Sequence, residues 1–200
     1  MSSSVLRITS NIVILDRDGV INLNSDQYIK TPEEWVPVPG SLEAIARLCR
    51  ADFRVVLATN QSGIGKGLLS METLNRINNK MMAEVQEKGG RIDAIFLCPH
   101  PPEGNCNCRK PKPGLLLEIG ERLGVSLLGV PFVGDSASDI YAANAVGAQP
   151  ILVETGNGNE TKRLLTRDNS KEISDALHIY EDLASFVADL LDSRHSSKGA

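Results

Sequence analysis

Apolar residues along this chain follow two alternating patterns. The first is a set of short unbroken runs: Asn11-Ile12-Val13-Ile14-Leu15, Arg54-Val55-Val56-Leu57-Ala58-Thr59, Ala94-Ile95-Phe96-Leu97-Cys98, Val130-Pro131-Phe132-Val133-Gly134 and Pro150-Ile151-Leu152-Val153. Leu177-His178-Ile179-Tyr180 is a weaker sixth candidate. Continuous rather than alternating apolarity suits strands covered on both faces, as in a parallel sheet. The second pattern fills the gaps at helical spacing. Ser41 to Arg50 aligns Leu42, Ile45, Ala46 and Cys49, and Ser70 is placed to cap a helix opening at Met71. Pro113 starts a helix carrying Leu116, Ile119 and Leu123 and stopping at Gly124. Ser138 to Val146 is a fourth, and Asp182 to Leu191, with Leu183, Phe186, Val187 and Leu190 on one face, is the last. Strands alternating with helices predict a doubly wound α/β fold, whose sites form at the carboxyl ends of the strands.

The 200 residues suffice for one domain with a sizeable core, expected over 1–192. Residues 193–200 carry no core side chain and are expected to be a disordered tail. The formal net charge of -4 argues against a nucleic-acid partner, and no apolar run reaches the roughly 20 residues a membrane span needs. Met1 to Arg7 lacks the basic and apolar segments of a secretory signal, so the expected location is the cytoplasm. Without a large unexplained apolar stretch, a monomer is expected.

Four polar stretches fall where the fold rule wants them. Asp16 and Asp18 follow the first run; two residues apart in an extended segment, their carboxylates face one side, although a plain polar turn would look the same. Thr59, Asn60, Gln61 and Ser62 follow the second run, a hydroxyl and adjacent amides suited to phosphate oxygens or to an ordinary turn. Arg109, Lys110 and Lys112, stiffened by Pro111 and Pro113, form either a basic surface patch or a clamp for anions. Asp135 and Asp139 follow the fourth run, where Asp135 could give Mg²⁺ a hard oxygen ligand and both could cap the next helix.

Asp16-Arg17-Asp18-Gly19, Thr59-Asn60, Lys110 and Gly134-Asp135 with Asp139 together resemble the motifs of the haloacid-dehalogenase superfamily of phosphotransferases, across residues 11 to 155. The resemblance implies a Rossmann-like domain and an aspartyl-phosphate mechanism. In it Asp16 is the nucleophile, Asp18 the general acid and base, and Thr59 and Lys110 stabilise the phosphoryl group. Asp16, Asp135 and the backbone carbonyl of Asp18 bind magnesium. Neither gap between motifs has room for the separate cap domain of many relatives, which predicts a capless enzyme with a small substrate.

Cys98-Pro99-His100, followed by Cys106-Asn107-Cys108, offers three thiolates and one imidazole within one short loop, a closed donor set that favours structural Zn²⁺. The loop has no hydrophobic anchor of its own, so the metal is expected to order it and to aim Arg109 and Lys110. This loop and Cys-Arg-Lys-Pro-x-Pro-Gly resemble the histidinol-phosphatase-like branch of the superfamily. The branch implies a sugar phosphate substrate, foremost a heptose 1,7-bisphosphate losing its 7-phosphate on the way to lipopolysaccharide core, with histidinol phosphate as the nearest rival. A polynucleotide 3′-phosphate is a rival of another class. Substrate contacts are then expected at Asn24, Ser25, Asp26, Gln27, Asn60, Gln61, Ser62 and, for a second phosphate, Arg109. Tyr28 and Trp35 either wall the pocket or pack, and packing is expected for Trp35.

Overall fold

The computed structural model describes residues 10–167 and 177–197. The readings of Met1–Arg7 and of residues 198–200 lie outside them. Every apolar run becomes a strand: β1 (Ile12–Leu15), β2 (Arg54–Asn60), β3 (Ala94–Cys98), β4 (Pro131–Gly134), β5 (Gln149–Val153) and β6 (His178–Tyr180). They form one parallel sheet in the order β3-β2-β1-β4-β5-β6. The helices are α1 (Ser41–Arg50), α2 (Ser62–Gly65), α3 (Met71–Glu87), α4 (Gly114–Leu123), α5 (Ala137–Ala145), α6 (Gly158–Arg167) and α7 (Leu183–Ser197).

The unbroken apolarity of β1 has a direct cause. Val13 and Leu15 enter one core with Val55 and Leu57, covered by Ile45 of α1, Ile77 of α3 and Phe186 of α7. Ile12 and Ile14 enter the opposite core with Val56 and Phe132, covered by Leu116 and Ile119 of α4 and Ala142 of α5. Successive side chains point to opposite faces, and both faces are dry. Chain order reverses between β1 and β4, so loops diverge there and leave a crevice at the strand ends.

The short α2, at a stretch read as a turn, departs from the sequence reading, as do α6 and the end of α7. α6 was not predicted, because Gly158-Asn159-Glu160-Thr161-Lys162-Arg163 offers no apolar stripe. Polar anchoring replaces it: Thr161 Oγ1 donates to the Asp135 carbonyl at 2.9 Å. The expected tail from residue 193 is instead helical as far as Ser197. Arg194 explains the extension, donating to the Ala51 carbonyl at 3.0 Å and lying 4.5 Å from the Phe53 ring centroid. Its long side chain thus ties the last turn of α7 to the end of α1.

Neither gap between motifs holds a cap. Between β1 and β2 lie a loop, a 3-10 turn at Pro32–Glu34 and α1. Between β2 and Lys110 lie α2, α3, β3 and the cysteine loop. Among the described residues, no helix is long and apolar enough to cross a membrane.

Candidate functional site

The end of β1 delivers Asp16 beside β4, where its backbone N–H donates to the Val133 carbonyl at 2.8 Å. Lys110 arrives from the loop before α4. That loop is pinned to the end of β2 by a reciprocal pair: Asn60 Nδ2 donates to the Lys110 carbonyl at 3.1 Å, and Lys110 N–H donates to Asn60 Oδ1 at 3.2 Å. The Lys110 side chain is 1% exposed and its ammonium finds three acceptors. They are Asp139 Oδ1 at 2.6 Å, the Ala58 carbonyl at 2.8 Å and Asp16 Oδ1 at 3.0 Å. Burial opposes its charge, but Asp139 and Asp16 outweigh burial and raise its pKa, so Lys110 stays charged.

Asp139 serves two elements. It is the acid of a capping box on α5, taking the Ser136 N–H on Oδ2 at 3.1 Å, while Oδ1 meets Lys110. Its oxygens are therefore committed, which leaves Asp16 and Asp135 facing each other. Ligand oxygens of Asp16, Asp135 and Asp139 lie within 4.8 Å of one another. Three carboxylates share one ammonium, and the shortfall of positive charge is visible. Burial, with Asp139, Asp135 and Asp18 adding to it against Lys110, pushes the Asp16 carboxyl up to about 8. Burial and Asp139 push Asp135 up to about 7. A further cation between them would let both ionise, and hard carboxylate oxygens are the donors magnesium takes.

Asp135 is held by close backbone on both sides. Asn157 N–H donates to its Oδ2 at 2.8 Å. A Cβ on Gly19 would come 2.1 Å from that oxygen, and one on Gly156 would come 2.2 Å from it. Both glycines also have positive φ, +82° and +57°, so the sequence needs glycine there twice over.

Asp18 turns to a different set of partners. Its oxygens accept from Arg17, Asn22 and Gln61. Burial would raise its pKa, but the Arg17 charge and the hydrogen bonds from Asn22, Arg17 and Gln61 outweigh burial and lower it. The same Gln61 nitrogen donates to Thr59 Oγ1 at 3.0 Å.

These groups surround a cavity of about 260 Å³ lined by Asp16, Asp18, Lys110 and Asp135 at its base and by Asn24, Ser25, Tyr28, Asn60, Gln61 and Arg109 around its walls. Asp26 and Gln27 are exposed and do not line it, nor does Ser62. Thr59 is buried and joins the wall through Gln61. Trp35 packs in the core at 1% exposure and donates to Asn22 Oδ1 at 3.0 Å. Sequence reasoning offered Gly156-Asn157-Gly158 as a loop shielding the site without the Asn157 contact to Asp135, and it gave Asn22 and Asn78 no role. Their backbone and amide contacts depend on how distant loops converge, and only Asn22, four residues past Asp18, carried a local hint.

On the far side of Arg109 the four soft donors meet. Cys98 Sγ lies 3.0 Å from Cys108 Sγ and 3.5 Å from Cys106 Sγ, and His100 Nδ1 is 3.3 Å from Cys108 Sγ. Donors bonded at ~2.3 Å to one tetrahedral ion stand about 3.7 Å apart, so the cluster can close around a metal such as zinc. Cys98 is the last residue of β3, and Gln61 N–H donates to its carbonyl at 2.7 Å. Arg109 Nη1 donates to the His100 carbonyl at 3.3 Å. The cluster thus braces both cavity walls.

Residues 107–184 match a family model described as HAD-hydrolase-like. A D-glycero-beta-D-manno-heptose-1,7-bisphosphate 7-phosphatase of Bordetella bronchiseptica is 50% identical over 180 residues, 90% of this chain and 97% of the relative. One from Pseudomonas aeruginosa is 48% identical over 184 residues, 92% of this chain and 99% of the relative. The crystal structure of D,D-heptose 1,7-bisphosphate phosphatase from B. bronchiseptica, complexed with magnesium and phosphate, is similar with a TM-score of 0.85 at 50% identity. That match covers 90% of this chain and 98% of the other.

Proposed function

The chain belongs to the HAD-like hydrolase family, and from that premise we propose that it removes the 7-phosphate of D-glycero-β-D-manno-heptose 1,7-bisphosphate through an aspartyl-phosphate on Asp16. The observation that carries this reading is the seating of Asp16 against Lys110 at the β1–β4 crevice, in a chain half identical to such phosphatases along nearly its whole length. The reading takes the chain as one phosphatase domain, working as a cytoplasmic monomer on a small phosphorylated sugar, with no nucleic-acid or membrane partner.

In this reading one Asp16 oxygen attacks phosphorus while the other side of the carboxylate rests on Lys110, which offsets its charge through the step. As the bond from phosphorus to the sugar O7 breaks, Asp18, which enters this step protonated, gives that oxygen its proton, and the Arg17 and amide contacts that lower its pKa favour the release. Asp18 then accepts a proton from the water that attacks the aspartyl-phosphate, returning Asp16 and releasing inorganic phosphate. Thr59, whose Oγ1 already accepts from Gln61, keeps its own hydrogen for a phosphoryl oxygen. Asp16, Asp135 and the Asp18 carbonyl would hold Mg²⁺, which when bound supplies positive charge to the transferring group. Cys98, His100, Cys106 and Cys108 would hold a structural zinc ion. Arg109 meets the second phosphate, which favours a bisphosphate over the cationic histidinol phosphate. Asn24, Ser25 and Asn60 face the sugar.

Asp16→Asn tests the nucleophile. Phosphate release with Mg²⁺ is expected to fall by roughly four to six orders of magnitude, with circular dichroism unchanged. Retained turnover would contradict the assignment.

A further inference from the structure

The group most extensively held in this site is Asp18, and the residue that holds it hardest is one the reaction itself does not use. Arg17 is only 1% exposed although it carries a guanidinium. Its Nη2 donates to both Asp18 oxygens, at 3.0 Å and 3.1 Å, and its Nε reaches Oδ1 at 3.3 Å. Its remaining arm, Nη1, donates to Asn78 Oδ1 on α3 at 3.4 Å. Among the described residues Arg17 makes a salt bridge only with Asp18. Two amides complete the grip. Asn22 Nδ2 donates to Oδ1 at 2.9 Å, and Gln61 Nε2 donates to Oδ2 at 2.8 Å. Each amide is itself fixed, Asn22 by the buried indole of Trp35 and Gln61 by Thr59.

A buried ion pair contributes little net stability, because desolvation offsets its attraction. Spending a wholly buried guanidinium on a carboxylate that opens to the cavity therefore calls for another account. We propose that Arg17, seated by Asn78, is a positioning residue that fixes the orientation of the Asp18 carboxylate for proton transfer to the leaving oxygen. Arginine suits this task where lysine does not. Its planar fork spans both carboxylate oxygens and keeps a third donor for the α3 anchor, so the carboxylate plane is set from the helix layer as well as from its own loop. Asn22 and Gln61 then fix the remaining rotation.

The inference rests on the proposed role of Asp18 as general acid, and the test separates the two. The full chain with Mg²⁺ is assayed for kcat/KM on two substrates. One is an alkyl sugar phosphate, whose leaving oxygen needs a proton. The other is p-nitrophenyl phosphate, whose leaving group needs none. Asp18→Asn sets the scale, with a loss on the alkyl substrate expected to exceed that on the aryl substrate by about a hundredfold or more. Arg17→Met and Asn78→Leu are expected to shift the same ratio by about tenfold, mainly through kcat. Arg17→Lys should fall between. Asn78→Leu lies outside the crevice and keeps the test open if Arg17→Met does not fold. Equal losses on both substrates in Arg17→Met and Asn78→Leu, with Asp18→Asn still discriminating, would overturn the inference and leave the general acid standing. Equal losses in Asp18→Asn as well would remove the acid role and the positioning role together.

Discussion

Lys110, Asp139 and Gly19 show how single residues meet several constraints at once. The Asp139 carboxylate caps α5 with one oxygen and holds Lys110 with the other, so a helix start and a charge balance share one side chain. Gly19 lets the chain turn at positive φ and also leaves room for Asp135. Gly19→Ala is therefore expected to act on the metal site more than on the fold. The strained φ costs about 1 kcal/mol, while the new Cβ must displace the Asp135 oxygen it would otherwise meet at 2.1 Å. Activity titrated against Mg²⁺ should show a markedly higher half-saturating concentration and a lower plateau. A wild-type titration curve would mean that the close approach has no functional consequence. At this scale the sequence was legible where polarity interrupts an apolar run: Asp16, Thr59 and Asp135 each follow or end a strand. It was illegible for Asn78, which sits 61 residues from its partner Arg17, a single polar residue on the buried face of α3 beside Leu74, Ile77 and Met81. Asp26 and Gln27 share the loop that carries Asn24 and Ser25, yet only the latter two turn into the cavity. A residue's neighbours in sequence do not say which way a loop side chain points.

Among the elements, β1, β2, β4 and β5 were readable because burial on both faces leaves an unmistakable apolar run, while the partly exposed β6 gave a weaker one. α6 was not, since its hold on Asp135 is through Thr161 and not through a stripe. α7 outran its apolar face because Arg194 packs on Phe53. In the proposed reading the cysteine loop is the element whose order would depend most on a bound metal. Its only short helix, at Pro102–Gly104, is one 3-10 turn, and its donors converge from the end of β3 and from the residues before Lys110. Stripping zinc with a strong chelator, or Cys106→Ser, is expected to speed amide hydrogen exchange across residues 99–109. Exchange should also rise at Gln61 and Gly65, whose N–H groups donate to the Cys98 and Pro99 carbonyls. Protection in β1, β2 and β4 should persist, and KM should rise through the loosened Arg109. Loss of protection throughout the sheet would mean that the ion holds the whole fold rather than one wall.

Across the whole molecule, the strand order accounts for the site's location. Reversal between β1 and β4 puts Asp16 and Asp135 side by side although 119 positions in the sequence separate them (135 − 16). Parallel strands aim all their carboxyl ends into one crevice, and the absence of a cap in either gap leaves that crevice to be walled by short loops. The size and charge of the walls then select the substrate: a cavity of about 260 Å³ with a carboxylate and lysine base and Arg109 on its wall. The fold and the place of the site were legible from the repeated coincidence of chemistry with strand ends, and the reaction type from the resemblance of those motifs to the haloacid-dehalogenase superfamily. The substrate was less so, because it depends on Arg109 and on loop side chains whose directions only the folded chain sets. The most direct measurement is steady-state phosphate release, with Mg²⁺, from both anomers of D-glycero-D-manno-heptose 1,7-bisphosphate and from histidinol phosphate. The account predicts that the β anomer leads histidinol phosphate in kcat/KM by a hundredfold or more, about 2.7 kcal/mol of transition-state binding. A lead for histidinol phosphate would contradict it, and with it the role given to Arg109.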